Sequence, residues 1–308
     1  MVKTGILGAD SPIAGEIIRI LINHPEVIIS QLYAPNSVGN NVSAIHHGLI
    51  GEAQLIFTDK INLEELDLII ILEHPKYNDI INKIFTQTSS YEDLKIILLN
   101  HDHQFNDYPI GLEIGLSEYN RKALVRGSKY AFIPSPIVVP ILIALAPLAD
   151  FMLLNSDIEI RLSLPENILS SFSLLQEKEI IKYYLTQRQA SFQGEINFNS
   201  FPSSSNRALA ITIDLKTTLP IDEIEKIYEQ IYDDHNFSFL TKKNLDTKEV
   251  EGTQKVLFNI NKIQSDTLRI DIVSDAILRG GAGDIVHILN LLFGLHEKTG
   301  LHLKVSRF

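Results

Sequence analysis

Over its first 135 residues the chain alternates short apolar runs with segments of helical period. "KTGILGA" reads as a strand, and "AGEIIRILINHP" as a helix stopped by Pro25. "EVIISQLYA" predicts a second strand, "LDLIIILEHP" a third and "DLKIILLN" a fourth. A helical segment, "YNDIINKIFTQT", lies between the last two. Runs that are apolar on both faces and separated by helices indicate a parallel sheet covered on each side. That is the pattern of a doubly wound, Rossmann-type α/β domain.

After Asp150 the texture changes. "DIEIRLSLP" alternates as a half-buried strand does, with Ile158, Ile160 and Leu162 on one face. "PENILSSFSLLQEKEIIKYYLTQRQ" has helical spacing, and "SFPSSSNRA" (200–208) reads as a polar loop. Then come a strand, "RALAITIDLKTT", and a helix, "PIDEIEKIYEQIYDDHNF", whose Ile224, Ile227 and Ile231 are expected to face a sheet. Two more alternating strands follow, "QKVLFNINKI" and "TLRIDIVSD", and the chain closes on a glycine-led helix that ends at Gly294. The expectation is an α/β protein. A Rossmann-type domain spans 1–149 and 284–308, and an α+β domain with a mixed sheet spans 150–283. There is no internal repeat, and no linker is marked by composition.

The most apolar stretch, "FIPSPIVVPILIALAPLAD" from Phe132 to Asp150, carries four prolines. A membrane span needs roughly 20 apolar residues in a helix. Pro134, Pro136 and Pro140 would break one early and Pro147 would kink the rest. The N-terminus, "MVKTGILGADSP", lacks the apolar core of a secretory signal. A soluble, cytoplasmic protein is expected. Its net charge of -11 argues against nucleic-acid or anionic-membrane partners, which require clustered Lys and Arg. The 308 residues include no cysteine, so disulfides, thiolate metal ligands and thiol nucleophiles are all excluded.

A strand followed by "GADSPIAGE" and a helix is where a phosphate-binding turn belongs, because glycines let backbone N–H groups approach a pyrophosphate. The fingerprint positions here hold Gly8, Ser11 and Ala14, with Gly15 one residue late. Gly8, Asp10, Ser11, Pro12 and Ile13 are thus candidate cofactor contacts. The same residues also suit a plain turn with Ser11 as helix N-cap. The second strand ends in "YAPNSVG", with neither the acid that would hold an adenosine ribose nor an Arg for a 2′-phosphate. Asn36 and Ser37 offer hydrogen bonds there, to a ligand or to a turn.

Several segments together resemble the N-acetyl-gamma-glutamyl-phosphate reductase family of the aspartate-semialdehyde dehydrogenase superfamily. They are "AGEIIRILINHPEV", "VSAIHHGLIG", "IGLSEYNR", "ALAPL" and "RGGAGDIVHILNLLFGLHEKTGL", in one order along the chain. Residues 153–205 match poorly. The resemblance implies a Rossmann domain, an α+β domain and a site at their junction lined by Ser11, Pro12, Ser135, Pro136 and the 280–283 turn. It implies homo-oligomers, dimer or tetramer, formed through the second domain. It also adds Gly281 and Asn290 to the candidate contacts for NADP or NAD. In that family a cysteine thiolate attacks an acyl phosphate, NADPH reduces the thioester, and a histidine handles the proton.

The family's "NPGCYPT" turn falls on 133–139, which puts Pro136 at the cysteine position. No histidine lies between Asp150 and Gly194, and the cofactor arginine falls on Pro35. The expectation is a pseudoenzyme with no certain cofactor. It would be kept for ligand or peptide binding, assembly or regulation, with a pathway enzyme as a further candidate partner. The alternative is a thiol-independent NAD(P) oxidoreductase acting on an aldehyde, acyl phosphate or imine, with Tyr130, His101 or His287 as proton donor; His235 is a candidate for a histidine supplied from elsewhere in the fold. Ser135 is either a displaced nucleophile or a capping serine. "HDH" (His101, His103) could place two imidazoles on one side of an extended segment and "HH" (His46, His47) is a second cluster, but loop histidines are more often solvated than ligating, so no metal site is expected. The carboxylates Asp107, Glu113 and Glu118 lack a partner at a diagnostic spacing, so a glycosidase-like pair is not expected.

Overall fold

The computed structural model describes residues 1–72, 77–87, 91, 93–99 and 111–305. Contacts divide the chain into two compact units, Met1–Pro134 with Gly281–His302, and Ser135–Gly280 with residues from Leu303 on.

The first unit is built on seven strands. β1 (Val2–Leu7) leads into α1 (Pro12–Leu21), and β2 (Val27–Tyr33), β3 (Phe57–Thr58) and β4 (Leu68–Leu72) follow. Then come α2 (Asn78–Gln87), β5 (Lys95–Leu99), β6 (Leu112–Ile114), α3 (Ser117–Val125) and β7 (Tyr130–Ile133). The sheet order is β3-β2-β1-β4-β5-β7-β6, with every pair parallel. β4 is buried along its whole length, which is why its sequence is an unbroken apolar run.

The second unit opens with α4 (Val138–Asp150), β8 (Ile158–Leu164), α5 (Glu166–Leu169), α6 (Leu174–Arg188) and β9 (Ile196–Pro202). β10 (Ala208–Lys216), α7 (Ile221–Tyr232), β11 (Ser238–Leu240), β12 (Val256–Gln264) and β13 (Thr267–Asp275) complete it. α8 (Ala282–Leu292) returns to the first unit. The second sheet runs β11-β12-β13-β10-β8-β9 and is mixed, since only β8–β9 and β11–β12 are parallel. Ile158, Ile160 and Leu162 do share the buried face. On α7 the inward positions are Ile224, Ile227, Tyr228 and Tyr232, and Ile231 is only half-buried.

Two expectations change. The polar stretch from Ser200 is not all loop, because β9 continues to Pro202 through its pairing with β8. A proline is tolerated there because β9 is an edge strand. The change of texture at Asp150 sets a boundary that contacts do not follow: α4 packs on α6, α7 and β13 and groups with the second unit.

The proline-rich apolar stretch thus divides into β7, a turn, and α4, whose residues Val138–Ala149 are all buried. Among the described residues no helix is long and apolar enough to cross a membrane. Pro140 lies in the first turn of α4, where a missing N–H costs little. Pro147 is interior and cannot donate to the carbonyl of Ile143. The Tyr232 hydroxyl of α7 donates to that carbonyl instead, and the Tyr228 hydroxyl donates to the next one, Ala144. Complete burial pushes the Tyr228 phenol above its usual range, so it remains a donor.

Replacing Tyr232 by Phe is expected to cost about 1–2 kcal/mol, the range for orphaning a buried carbonyl. Adding Pro147→Ala should return most of that loss, because residue 147 then supplies the N–H. Urea unfolding of the two single variants and the double variant measures the coupling. Simple additivity would sink this account of the kink.

Candidate functional site

The β1–α1 turn is held from several sides within the first unit. Gly8 has φ +85°, and a Cβ on it would lie 2.9 Å from the Leu72 carbonyl oxygen of β4, so only glycine fits. The N–H groups of Gly8 and Ala9 both donate to the Tyr33 carbonyl, at 3.1 and 3.0 Å. Ser11 N–H donates to the Gly8 carbonyl at 3.1 Å, and the Ala14 and Gly15 amides both donate to the Ser11 carbonyl, at 3.0 and 3.4 Å. The Ser11 hydroxyl accepts from Ala14 N–H as the N-cap of α1, with Pro12 at the first helical position. Asp10 accepts from the Tyr77 hydroxyl at 3.3 Å.

His46 braces the same turn. Its Nε2 lies 2.7 Å from the Ala9 carbonyl oxygen, and a Cβ on Gly15 would come within 2.7 Å of its Nδ1. Gly15 is therefore glycine to admit an imidazole. The sequence signal was the "AIHHG" segment together with a glycine one place late. Ser37 is buried in a short 3₁₀ turn at Pro35–Ser37, its N–H bonded to the Ala34 carbonyl, and Asn36 is exposed beside it.

A dinucleotide would need amides and a ribose or phosphate anchor here. Five turn amides are already spent inside the chain, Pro12 has none, and Asn36 is the exposed polar group after β2. The Ala14 and Gly15 bonds are those of any helix start, so what the turn lacks for a pyrophosphate is the donor that Pro12 removes and a charged ribose or phosphate anchor.

Gly281 precedes α8, and its carbonyl accepts from Ile285 N–H at 3.0 Å. Asn290 is fully buried, and its amide is used within the unit. Oδ1 accepts from His24 Nε2 at 3.0 Å, and Nδ2 donates to the Glu297 and Thr299 carbonyls at 3.1 and 2.9 Å. His24 Nδ1 also accepts from Glu26 N–H, which fits a neutral ring; burial lowers its proton affinity. His287 is buried with Nε2 3.0 Å from Glu297 Oε2, and Arg121 pairs with the other carboxylate oxygen. His101, His103 and Asp107 lie outside the described residues. Glu113 accepts from Asn120, Glu118 from Ser117, and the His235 ring packs against Tyr232. Tyr130 begins β7 and is half-buried. Among the described residues no group of three His, Cys, Asp or Glu side chains is placed to hold a metal ion.

In the second unit the chain enters α4 through Ser135, Pro136 and Ile137. The Ser135 hydroxyl accepts from Val138 N–H at 3.1 Å, and its carbonyl accepts from Val139 N–H at 3.1 Å, so Ser135 caps the helix. The same hydroxyl donates to Glu177 Oε2. Ser135 is 4% exposed and Glu177 only 1%. Burial pushes the Glu177 carboxyl up to about 7, with the Ser135 hydrogen bond opposing the shift. Glu177 escaped the sequence reading, although it stands in register with Ile180, Ile181 and Tyr184 on the inward stripe of α6. An acid on an apolar stripe was the available signal.

Gly280 closes over this turn. Its φ is +71°, and a Cβ there would fall 2.4 Å from Pro136 N and 2.6 Å from the Ser135 carbonyl carbon. The approach to Gly280 is set by Asp275, which is buried and accepts from Arg207 Nε at 2.5 Å, Gly252 N–H at 2.6 Å and Ile277 N–H at 3.0 Å. Gly280→Ala combines a left-handed backbone with a clash against main chain that cannot swing aside. It is expected to lose about 3 kcal/mol or more in denaturant unfolding. A loss under about 1 kcal/mol, the ordinary Gly→Ala range, would show the contact to be loose.

The model for the semialdehyde dehydrogenase NAD-binding domain matches residues 3–126. Over the whole length of both chains, the protein is 32% identical to N-acetyl-gamma-glutamyl-phosphate reductase of Parabacteroides distasonis across 327 aligned residues. Identity to the reductase of that name from Azobacteroides pseudotrichonymphae is 34%, again over all of both chains. Among solved structures, aspartate semialdehyde dehydrogenase with NADP from Candida albicans is similar at a TM-score of 0.71 and 13% identity, covering 95% of this chain and 98% of that one. Aspartate semialdehyde dehydrogenase II from Vibrio cholerae, complexed with ASA, gives 0.69 at 13% identity, covering 96% and 98%. The two structural likenesses establish the fold. The full-length identities establish that the chain belongs to the N-acetyl-gamma-glutamyl-phosphate reductase family.

Proposed function

We propose that this chain is a catalytically degenerate member of its family, a cytoplasmic pseudoenzyme retained for binding, assembly or regulation in a biosynthetic pathway. One observation carries the reading. The chain has no cysteine at all, and the family resemblance puts Pro136 at the nucleophile position. Reduction of an acyl phosphate through a thioester needs a nucleophile that displaces phosphate and then holds the acyl group for hydride transfer. Proline has no such group.

Ser135 does not replace it. Its pairing with Glu177 has the outline of a nucleophile and a base, but the hydroxyl is buried and already caps α4. A carboxyl that keeps its proton up to about pH 7 is not a base for serine below that pH. His287, another candidate for proton transfer, is committed to Glu297. Homo-oligomer formation through the second unit is the assembly this reading favours.

A second reading has one observation behind it, the match of residues 3–126 to an NAD-binding domain. A nicotinamide cofactor held there would supply hydride directly to an aldehyde, acyl phosphate or imine without a thiol. The self-bonded β1–α1 turn fits this poorly.

The test is a calorimetric titration of the pure protein with NADPH and with NADH, paired with an assay for phosphate release from an acyl phosphate. The expected result is no phosphate-coupled oxidation of NADPH, in the natural chain or after Pro136→Cys. A thiol returned without a histidine partner should remain inactive. Micromolar cofactor binding with turnover that a Ser135 or Ser11 substitution abolishes would overturn the pseudoenzyme reading in favour of the oxidoreductase.

A further inference from the structure

Glu177 is an acid built into an apolar contact. It lies on the stripe of α6 that packs against α4 and β9, and its Oε2 accepts a hydrogen bond from the Ser135 hydroxyl. Oε1 is buried and has no hydrogen-bond partner among the described residues. An ionised carboxylate presents about four acceptor sites, and an unsatisfied buried charge is far more costly than a neutral carboxyl. The site as built suits the protonated acid.

The surrounding charges do not compensate. On α6, Lys178 and Lys182 both bind Glu195, and Arg188 binds Asp150 at the far end of α4. Glu179 is the remaining acidic neighbour on that helix. α4 has no charged residue between Val138 and Ala149, and β9 has none at all. Glu166 of α5 is exposed, Asp275 is taken up by Arg207, and Arg279 is buried on the approach to Gly280. Burial and Ser135 are the two influences that set the state of Glu177.

What Glu177 holds is the entry to α4. The hydroxyl that donates to it also receives Val138 N–H, so the carboxyl, the cap and the first turn form one linked unit with Gly280 pressed on Pro136. We propose that Glu177 is a proton-operated latch on the Ser135–Ile137 turn, whose opening is favoured as the Glu177 carboxyl gives its proton to water. Acid keeps the turn shut. The latch stands on the geometry of α4 and α6 alone, so it survives or fails independently of whether the chain is a pseudoenzyme.

The sign follows from linkage. Closed, the carboxyl titrates at about 7; open to water, it returns to its ordinary 4.5. Below 4.5 both states are protonated and opening is rarest. Between 4.5 and 7 only the open state ionises, so opening rises about tenfold per pH unit, by roughly 300-fold in all. Above 7 both states are ionised and the dependence ends.

Hydrogen exchange on the full-length protein, read by mass spectrometry from pH 5 to 8.5 and corrected for intrinsic rates, tests the latch. Peptides covering 135–142 should lose protection about tenfold per unit up to pH 7 and then level off. Peptides from β13 serve as reference and should not follow. Glu177→Gln, which keeps an acceptor for Ser135 but cannot ionise, should make the 135–142 profile flat. Should that variant fail to fold, Ser135→Ala provides the second arm. Without the opposing hydrogen bond the levelling-off should move to higher pH. Equal slopes in natural and substituted chains, a flat natural profile, or one slope shared by β13 would each overturn the proposal.

Discussion

The second unit depends on satisfying a helix that cannot satisfy itself. α4 is apolar on every side, is enclosed between α6, α7 and β13, and carries a proline in its interior. Buried carbonyls need donors wherever the backbone fails to supply them. Two tyrosines from α7 provide these at mid-helix, and one serine provides the matching acceptor at the start. The sheet and its remaining helices can be read as the framework that delivers those three side chains. Tyr228 and Tyr232 also stack against Phe258 of β12, so the groups that bond to α4 are themselves fixed by the core.

The two turns with a claim to chemistry are closed by different means. At β1–α1 the amides bond back to β2 and to Ser11, with the His46 ring wedged where Gly15 leaves room. At the entry to α4, main chain packs against main chain, since Gly280 lies flat on Pro136. The first closure uses the hydrogen bonds a phosphate would use. The second uses the volume a nucleophile and its substrate would need. Both closures are made by the chain's own groups.

The strands β4 and β5 were legible because a doubly covered parallel sheet imposes nearly unbroken apolar runs, and β1 and β2 were legible as shorter apolar runs interrupted by polar residues. So was the alternation in β8 and β13. The short strands were not: β3 and β6 carry two and three residues, too few for a period, and β7 lies inside a proline-rich run that hides it. The end of β9 reads as loop because Ser200 and Pro202 have turn chemistry, and only the pairing with β8 overrides it. Ser11 as a cap was visible in sequence, since a cap is local. His46 against Ala9 and Glu177 against Ser135 join residues 37 and 42 positions apart, and nothing local announces either partner.

The absence of a thiol and the presence of a buried acid belong to one physical argument. A site that stabilises a thiolate must be polar, partly open and rich in donors. The turn at Ser135–Ile137 is the opposite: apolar, shut, and favouring a neutral carboxyl over a charged one. Restoring cysteine at Pro136 would put a group that needs a negative charge beside one that has been denied it. Burial raises thiol proton affinity as it raises that of Glu177. The environment of the turn therefore opposes a thiolate as much as the side chain at Pro136 does, and a single Pro136→Cys substitution leaves that environment intact.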